Sequence, residues 1–370
     1  FYVRTDGGTS TQCTGRSDAP YPGSGTNRSC AWAHPFVALP PGDAPRIAGG
    51  DTLRIGSGDY AMGVGAPGAD NCKSAFAWDC HMPAIPAGPD PDTPTRITGT
   101  DADGACTSPP ELWGNERSRT VINLEQSHNV ELACLEITDR DACIEFHCQS
   151  GGCSEVNACE RNDPPFGAWA KIGILARDSD NVAISDVRIH GLANAGVQAG
   201  RIRDWQLTDV AIEANGWVGW DGDLGGDSSN AGTLLFERVE IAWNGCAESY
   251  PEGNVQGCWA QGAGGFGDGL GTGDTGGHWI FRDVHVHHNT SDGIDLLHSN
   301  DDLQVTVQRA LLENNAGQQV KTGRGGLIEN SVIIGNCSAF ADYPNMRGSD
   351  LCRALGDTVS VGLDSGSATA

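Results

Sequence analysis

Apolar residues recur along this chain with the period of a strand and almost nowhere with that of a helix. From about residue 120 the segments VAISDVRIHG (182–191), WQLTDVAIEAN (205–215), LLFERVEIAWN (234–244), WIFRDVHVHHN (279–289) and VTVQRALLENN (305–315) can be written one under another, followed by a shorter LIENSVIIGN (327–336). Aligned on Val187, Val210, Val239, Val284, Ala310 and Ser331, they are spaced by 23, 29, 45, 26 and 21 residues. Two residues past each anchor stands an apolar side chain (Ile189, Ile212, Ile241, Val286, Leu312, Ile333), the mark of a strand with one buried face. Five past it stands Asn, at 215, 244, 289, 315 and 336. An Asn at one fixed place is what a left-handed turn asks for, and stacked Asn side chains can hydrogen-bond up a column. VELACLEITD (130–139) reads as an earlier copy.

A β unit of 21–29 residues without a helix cannot close a core alone, so its copies must stack. The expected fold is all-β, a right-handed parallel β-helix. Leucine-rich repeats would need L-x-x-L-x-L, which is missing, and a propeller needs blades of ~40 residues. The spacing of 45 reads as one coil carrying an excursion, residues 245–264, closed by Cys246 and Cys258. Residues 1–119 are rich in Cys, Gly and Pro and show little periodicity beyond Phe36-Val37-Ala38-Leu39 and Thr52-Leu53-Arg54-Ile55. They are expected to form an N-terminal cap and the first irregular coils, covering the sheet edge that a solenoid exposes. Residues 120–345 then carry the β-helix and its groove, and 346–370 form a C-terminal tail.

Composition narrows the picture. With 48 acidic and 23 basic residues the chain carries a formal charge of −25, so nucleic acid and anionic membranes are poor partners. No apolar run is long enough for a spanning helix. Fourteen Cys, an even number, point to an oxidising compartment. The chain opens on FYVRTDGG with no basic-then-apolar leader, as expected of a secreted protein whose signal peptide has been removed. A secreted monomer is expected, in the extracellular space or the periplasm.

Registering the coils brings chemistry together. After the shared Asn, one coil reads Asn289-Thr-Ser-Asp292-Gly-Ile-Asp295 and the next Asn315-Ala-Gly-Gln318-Gln-Val-Lys321. Asp292 therefore lies over Gln318 and Asp295 over Lys321, about 4.8 Å apart. In the preceding coil Asp268-Gly-Leu-Gly271 sets Asp268 against Asp292. Asp-Gly is foremost a turn signal, but three carboxylates facing one another would repel without a cation. Such an oxygen-lined cluster suits Ca²⁺, structural or catalytic, and the single Lys beside it favours catalysis.

The runs Asp268-Gly-Leu, Ser291-Asp292-Gly-Ile-Asp295-Leu and Gln319-Val-Lys321-Thr-Gly323 resemble the calcium-dependent pectate lyases of polysaccharide lyase family 9. The start is similar to that family's cap as well, in Tyr2-Val3, Pro35-Phe36-Val37-Ala38-Leu39, Gly50-Asp51-Thr52-Leu53-Arg54-Ile55 and Gly58-Asp59-Tyr60. The resemblance implies that Asp268, Asp292 and Asp295 bind Ca²⁺ and that Lys321 removes a proton. The reaction implied is β-elimination in an acidic, uronic-acid-containing, pectate-like polysaccharide, where the C5 proton lies α to a carboxylate and must be made more acidic before a base can take it. Ser291 stands where the family has another Asp, and Gln318-Gln319 replaces its Asn-Gly.

Other residues compete for roles. Arg324, just beyond Lys321, suits a substrate carboxylate or the leaving oxygen, or is a solvated turn residue. Asp221 falls in the Asp295 and Lys321 column two coils earlier. Trp217 and Trp220 either stack on sugar rings or fill the core, and Trp220 is taken with Asp221 as substrate-binding. His285 and His287 share one strand face and His288 the other; with no acidic partner at their spacing, solvated histidines are favoured over a Zn²⁺ site. Asn27-Arg-Ser29, Asn289-Thr-Ser291 and Asn336-Cys-Ser338 are glycosylation sequons, meaningful only in a eukaryotic secretory host. Two alternatives to a lyase stand: a β-helix glycoside hydrolase with two carboxylates across the scissile bond, of whose polygalacturonase-like signature only His190-Gly191 is present, and a non-catalytic carbohydrate-binding β-helix.

Overall fold

The computed structural model describes residues 1–100, 104–145, 158–224, 229–251, 253–260, 266–336 and 338–346, with the backbone of Val359–Val361. The chain is an all-β parallel β-helix, and three apolar columns run up its inside. The first stacks Leu53, Ile97, Leu132, Ile184, Leu207, Phe236, Phe281 and Val307, and ends on the exposed Ile328. The second is the set marked by the repeat: Ile137, Ile189, Ile212, Ile241, Val286, Leu312 and Ile333. Ile122, Ile174, Val197, Trp220, Leu270, Ile294 and Val320 make the third, in a separate sheet. Strand alternation turns the neighbours of these residues outward, so each coil has a buried and a wet side fixed by parity alone.

Two turn columns join the three faces, and here the expected role of Asn needs correcting. The left-handed residues are Ala214 (φ 51°), Trp243 (59°), His288 (54°) and Asn314 (59°), one position before the shared Asn. A second left-handed column lies one residue before each anchor, at Cys134, Asp186, Asp209, Arg238, Asp283, Arg309 and Asn330. The Asn residues instead form the buried ladder. Asn215 Nδ2 donates to Asn244 Oδ1 at 2.9 Å, Asn244 to Asn289 at 2.9 Å and Asn289 to Asn315 at 2.8 Å. Asn315 donates in turn to Gln319 Oε1 at 2.7 Å, and the exposed Asn336 takes no part. Each ladder oxygen also accepts the backbone N–H of the preceding ladder residue. Bulky residues at positive φ cost ~1–2 kcal/mol apiece, a penalty the ladder offsets. Asn289→Ala would strand groups of Asn244, Asn315 and Ile241 in the interior. It should lower stability by about 3 kcal/mol or more, read as a fall in the urea midpoint; an unchanged midpoint would deny the ladder its structural role.

Residues 1–119 contribute strands to the same sheet and a plug at its start. Pro35–Ala38 forms a short helix with a Pro at its first turn, capped by His34 Nδ1 on the Phe36 N–H. Phe36, Val37 and Leu39 pack into one cluster with Val3, Leu53 and Ile55. Disulfides pair Cys13–Cys30, Cys72–Cys80, Cys106–Cys134, Cys143–Cys159 and Cys246–Cys258. Cys148, Cys153, Cys337 and Cys352 lie outside the described residues, as does most of the expected tail 346–370.

The excursion is an antiparallel hairpin, Cys246–Ser249 with Asn254–Cys258, closed by its own disulfide as expected; residues 252 and 261–265 of its expected span lie outside the described ones. Glu248 on the hairpin hydrogen-bonds Nδ1 of the buried His190, whose Nε2 lies 3.0 Å from Glu136 Oε1. Burial by itself lowers the His190 pKa, but the two carboxylates overrule it and raise it to about 8. A folded value above the unfolded one (~6.5) means stabilisation that is complete below the unfolded value and lost as pH rises through about 8. The parent should therefore lose up to about 2 kcal/mol more than Glu248→Gln as pH rises from below 6.5 to above 8. Equal pH slopes in the two proteins' denaturation midpoints would remove His190 as the hairpin's anchor.

Candidate active site

One register column of the third sheet, one residue along from the Trp220 column, runs Asn123, Leu175, Gln198, Asp221, Gly271, Asp295 and Lys321. The expected register of Asp295 against Lys321 is the observed one, and Asp221 lies two coils earlier in the same column. Asp268 and Asp292 occupy the turn leading into this sheet, one on each of two successive coils. The Gly219 N–H bonds the Asp268 carbonyl, and the Gly269 N–H bonds the Asp292 carbonyl. One ligand oxygen from each of Asp268, Asp292 and Asp295 falls within 4.8 Å of the others.

Backbone N–H groups hold the carboxylates in place. Asp268 Oδ1 accepts from Asp292 N at 3.0 Å, Asp292 Oδ1 from Gln318 N at 2.7 Å and Asp295 Oδ1 from Leu297 N at 3.0 Å. The second oxygens of Asp295 and Asp292 lie 2.7 and 3.1 Å from Lys321 Nζ. Glycines keep the space open. A Cβ on Gly317 would fall 2.2 Å from Asp292 Oδ1, and one on Gly271 would fall 2.8 Å from Asp268 Oδ2.

Asp268 and Asp292 are only 2% and 1% exposed, and Asp295 and Lys321 are half-buried. Burial pushes the Asp268 pKa well above the usual carboxylate range, and repulsion from Asp292 and Asp295 adds to it. A hydrogen bond from Ser291 works the other way. Ser291, which stands where the resemblance would put another Asp, thus acts as a donor to Asp268. Burial opposes the charge on Lys321, but Asp295 and Asp292 prevail and hold its pKa above that of an ordinary lysine. Three carboxylates against one ammonium leave an uncompensated negative charge in a secluded place. A hard divalent cation answers that charge, and an all-oxygen donor set with this convergence fits Ca²⁺.

Trp220 does not belong here. It is 1% exposed, within the inward column, and its ring packs edge-on against Trp205, Phe236 and Trp279 at 5.4–6.3 Å. Strand parity that turns Asp221 outward turns Trp220 inward, so the expected sugar contact is corrected to a core role. Trp217 is the half-buried member of the pair, edge-on to Phe266 at 5.3 Å and one residue along the turn from the Asp268 column. Arg324 follows strand Val320–Thr322 directly, and its guanidinium is held by the exposed Asp301. Asp221 accepts from Gln198 Nε2 at 2.7 Å. Asn289 is fully buried in the ladder, so its sequon offers no accessible amide.

No family model and no curated protein matches the chain. Among solved structures, the alginate lyase from Paenibacillus sp. str. FPU-7 is 12% identical, with 77% of this chain and 91% of that chain covered at a TM-score of 0.41. Pectate lyase Pel9A is 10% identical, with 93% and 80% covered and a TM-score of 0.43. The A-module of the mannuronan C-5 epimerase AlgE4 from Azotobacter vinelandii is 12% identical, with 76% and 79% covered and a TM-score of 0.32.

Proposed function

We propose that this chain cleaves an acidic, uronic-acid-containing polysaccharide by β-elimination, with Lys321 as the base and Asp268, Asp292 and Asp295 as ligands of Ca²⁺. The observation that carries the reading is a cluster of three carboxylates, two of them buried, in which Asp295 and Asp292 also hold a single lysine amine at 2.7 and 3.1 Å. A structural cation site has no need of that amine. When bound, Ca²⁺ supplies the positive charge that stabilises an anion developing beside the substrate carboxylate.

The chain's own groups do the rest. Neutral Lys321 takes the C5 proton onto Nζ, and the electron pair of the broken C–H bond becomes the C4=C5 double bond. The C4–O4 bond breaks with its pair leaving on oxygen, which then picks up a proton; no water is consumed. Arg324 is assigned to a substrate carboxylate or that leaving oxygen, and Asp221, in the same column two coils from Asp295, to a further sugar. A pectate-like polymer rests on the sequence resemblance. Five disulfides among the described residues fit work in an oxidising compartment outside the cytoplasm, and the protein is proposed to act there as a monomer.

The test is a panel of acidic polysaccharides, with Ca²⁺ added or chelated, followed by the ultraviolet absorbance of the unsaturated uronide. Calcium-dependent absorbance is the expected result. New reducing ends without absorbance would mean hydrolysis, and polymer binding with neither would mean a non-catalytic binding protein.

A further inference from the structure

On the second face of the β-helix, across the Asn ladder from Lys321, two histidines meet carboxylates from the coils on either side. Strand His285–His287 turns Val286 into the core and both histidines to the opposite side, where His285 is half-buried and His287 buried. Glu240 pairs in register with His285 from the preceding coil, and Glu313 with His287 from the following one. The contacts cross diagonally: His287 Nε2 lies 2.9 Å from Glu240 Oε1, and His285 Nε2 lies 3.3 Å from Glu313 Oε1. The two imidazoles stack at 3.9 Å. Donor atoms of Glu240, His285 and His287 all lie within 4.8 Å of one another.

We propose that Glu240, His285 and His287 form a second cation site, chemically distinct from the aspartate cluster and suited to a transition-metal ion of the Zn²⁺ class. Two imidazole nitrogens and one carboxylate are a borderline donor set, whereas three carboxylates are a hard one. Imidazole binds metal in its neutral form, through a ring nitrogen. Glu313 stands beside the cluster, where an outer carboxylate orients a ligating histidine.

The location gives the site a use. Glu240 opens and His285 and His287 close the longest coil, the one with the 45-residue spacing that carries the disulfide hairpin. The paired strands there, Glu240–Ala242 and His285–His287, are only three residues each. An ion shared between them would clasp that coil shut and couple its closure to metal binding.

The experiment uses the tag-free chain, stripped with chelator and titrated calorimetrically with Zn²⁺, with Co²⁺ absorption reporting coordination. Saturable binding of one ion per chain is expected, with a rise in the thermal midpoint. His287→Gln and Glu240→Gln should each weaken it by about tenfold or more, while Asp292→Asn leaves it unchanged. Folding of each variant is checked by far-ultraviolet circular dichroism, and the two sit on different strands, so one failing to fold leaves the other. Absence of saturable Zn²⁺ binding, or binding that survives both substitutions, would overturn the proposal and leave cross-strand ion pairs. Loss of Zn²⁺ in Asp292→Asn would overturn it by sending the ion to the aspartates.

Discussion

Lys321→Arg should still bind the acidic polymer but release unsaturated product roughly 10²–10⁴-fold more slowly, the range for loss of a positioned general base. Arginine keeps the positive charge beside Asp292 and Asp295, so any role limited to neutralising them survives the change. What it cannot do is deprotonate near neutral pH. Lys321 itself starts from an unfavourable position, because Asp295 and Asp292 hold its pKa above the ordinary value. The parent's rate should accordingly rise toward alkaline pH as the amine loses its proton. Raising Ca²⁺ should move that limb to lower pH, since a cation on the carboxylates cancels the interaction that keeps the proton on. A Lys321→Arg protein that makes product at close to the parent rate would remove Lys321 as the base.

Much of this site was legible because strand parity and a repeating anchor together determine neighbours. Counting from the shared Asn is enough to set Asp295 over Lys321, and the pairing of Ile294–Leu296 with Val320–Thr322 follows that count. The same parity assigns Trp220: Leu270, Ile294 and Val320 fill its column in later coils, so its ring belongs with theirs. The acidic partners of the histidines were also within reach. Glu240 and His285 each stand one past an anchor, and His287 and Glu313 each stand three past one. They are invisible only when a metal motif is sought along one strand instead of across coils.

Other features had no sequence signal of this kind. Nothing in the repeat says that Ala214, Trp243 and His288, not the Asn beside them, take the left-handed conformation. That follows from the ladder's demand that each Asn amide align with the one below. Gln319 completes the ladder by reaching back four residues to Asn315, a substitution no spacing rule predicts. Glu248 reaches His190 only because the hairpin folds back over the coil.

Asp292→Asn should raise the Ca²⁺ concentration needed for activity by about tenfold or more and cut the rate at low calcium by roughly 10²–10³-fold, the scale for losing one electrostatic stabiliser. Asn is the informative replacement because its Oδ1 can still accept from Gln318 N, so the turn that presents Asp292 need not rearrange. The substitution removes charge and little else. It also acts on Lys321: Asp292 is one of the two carboxylates that raise the amine's pKa, so its neutralisation should move the alkaline limb of the pH profile downward even as the rate falls. A metal ligand that also touches the base predicts both effects at once, weaker calcium binding on one axis and an acid-shifted profile on the other. A residue that only shaped the turn would give neither. Calcium titrations and pH profiles that superimpose on the parent's would sink the site as drawn, whatever happened to the absolute rate.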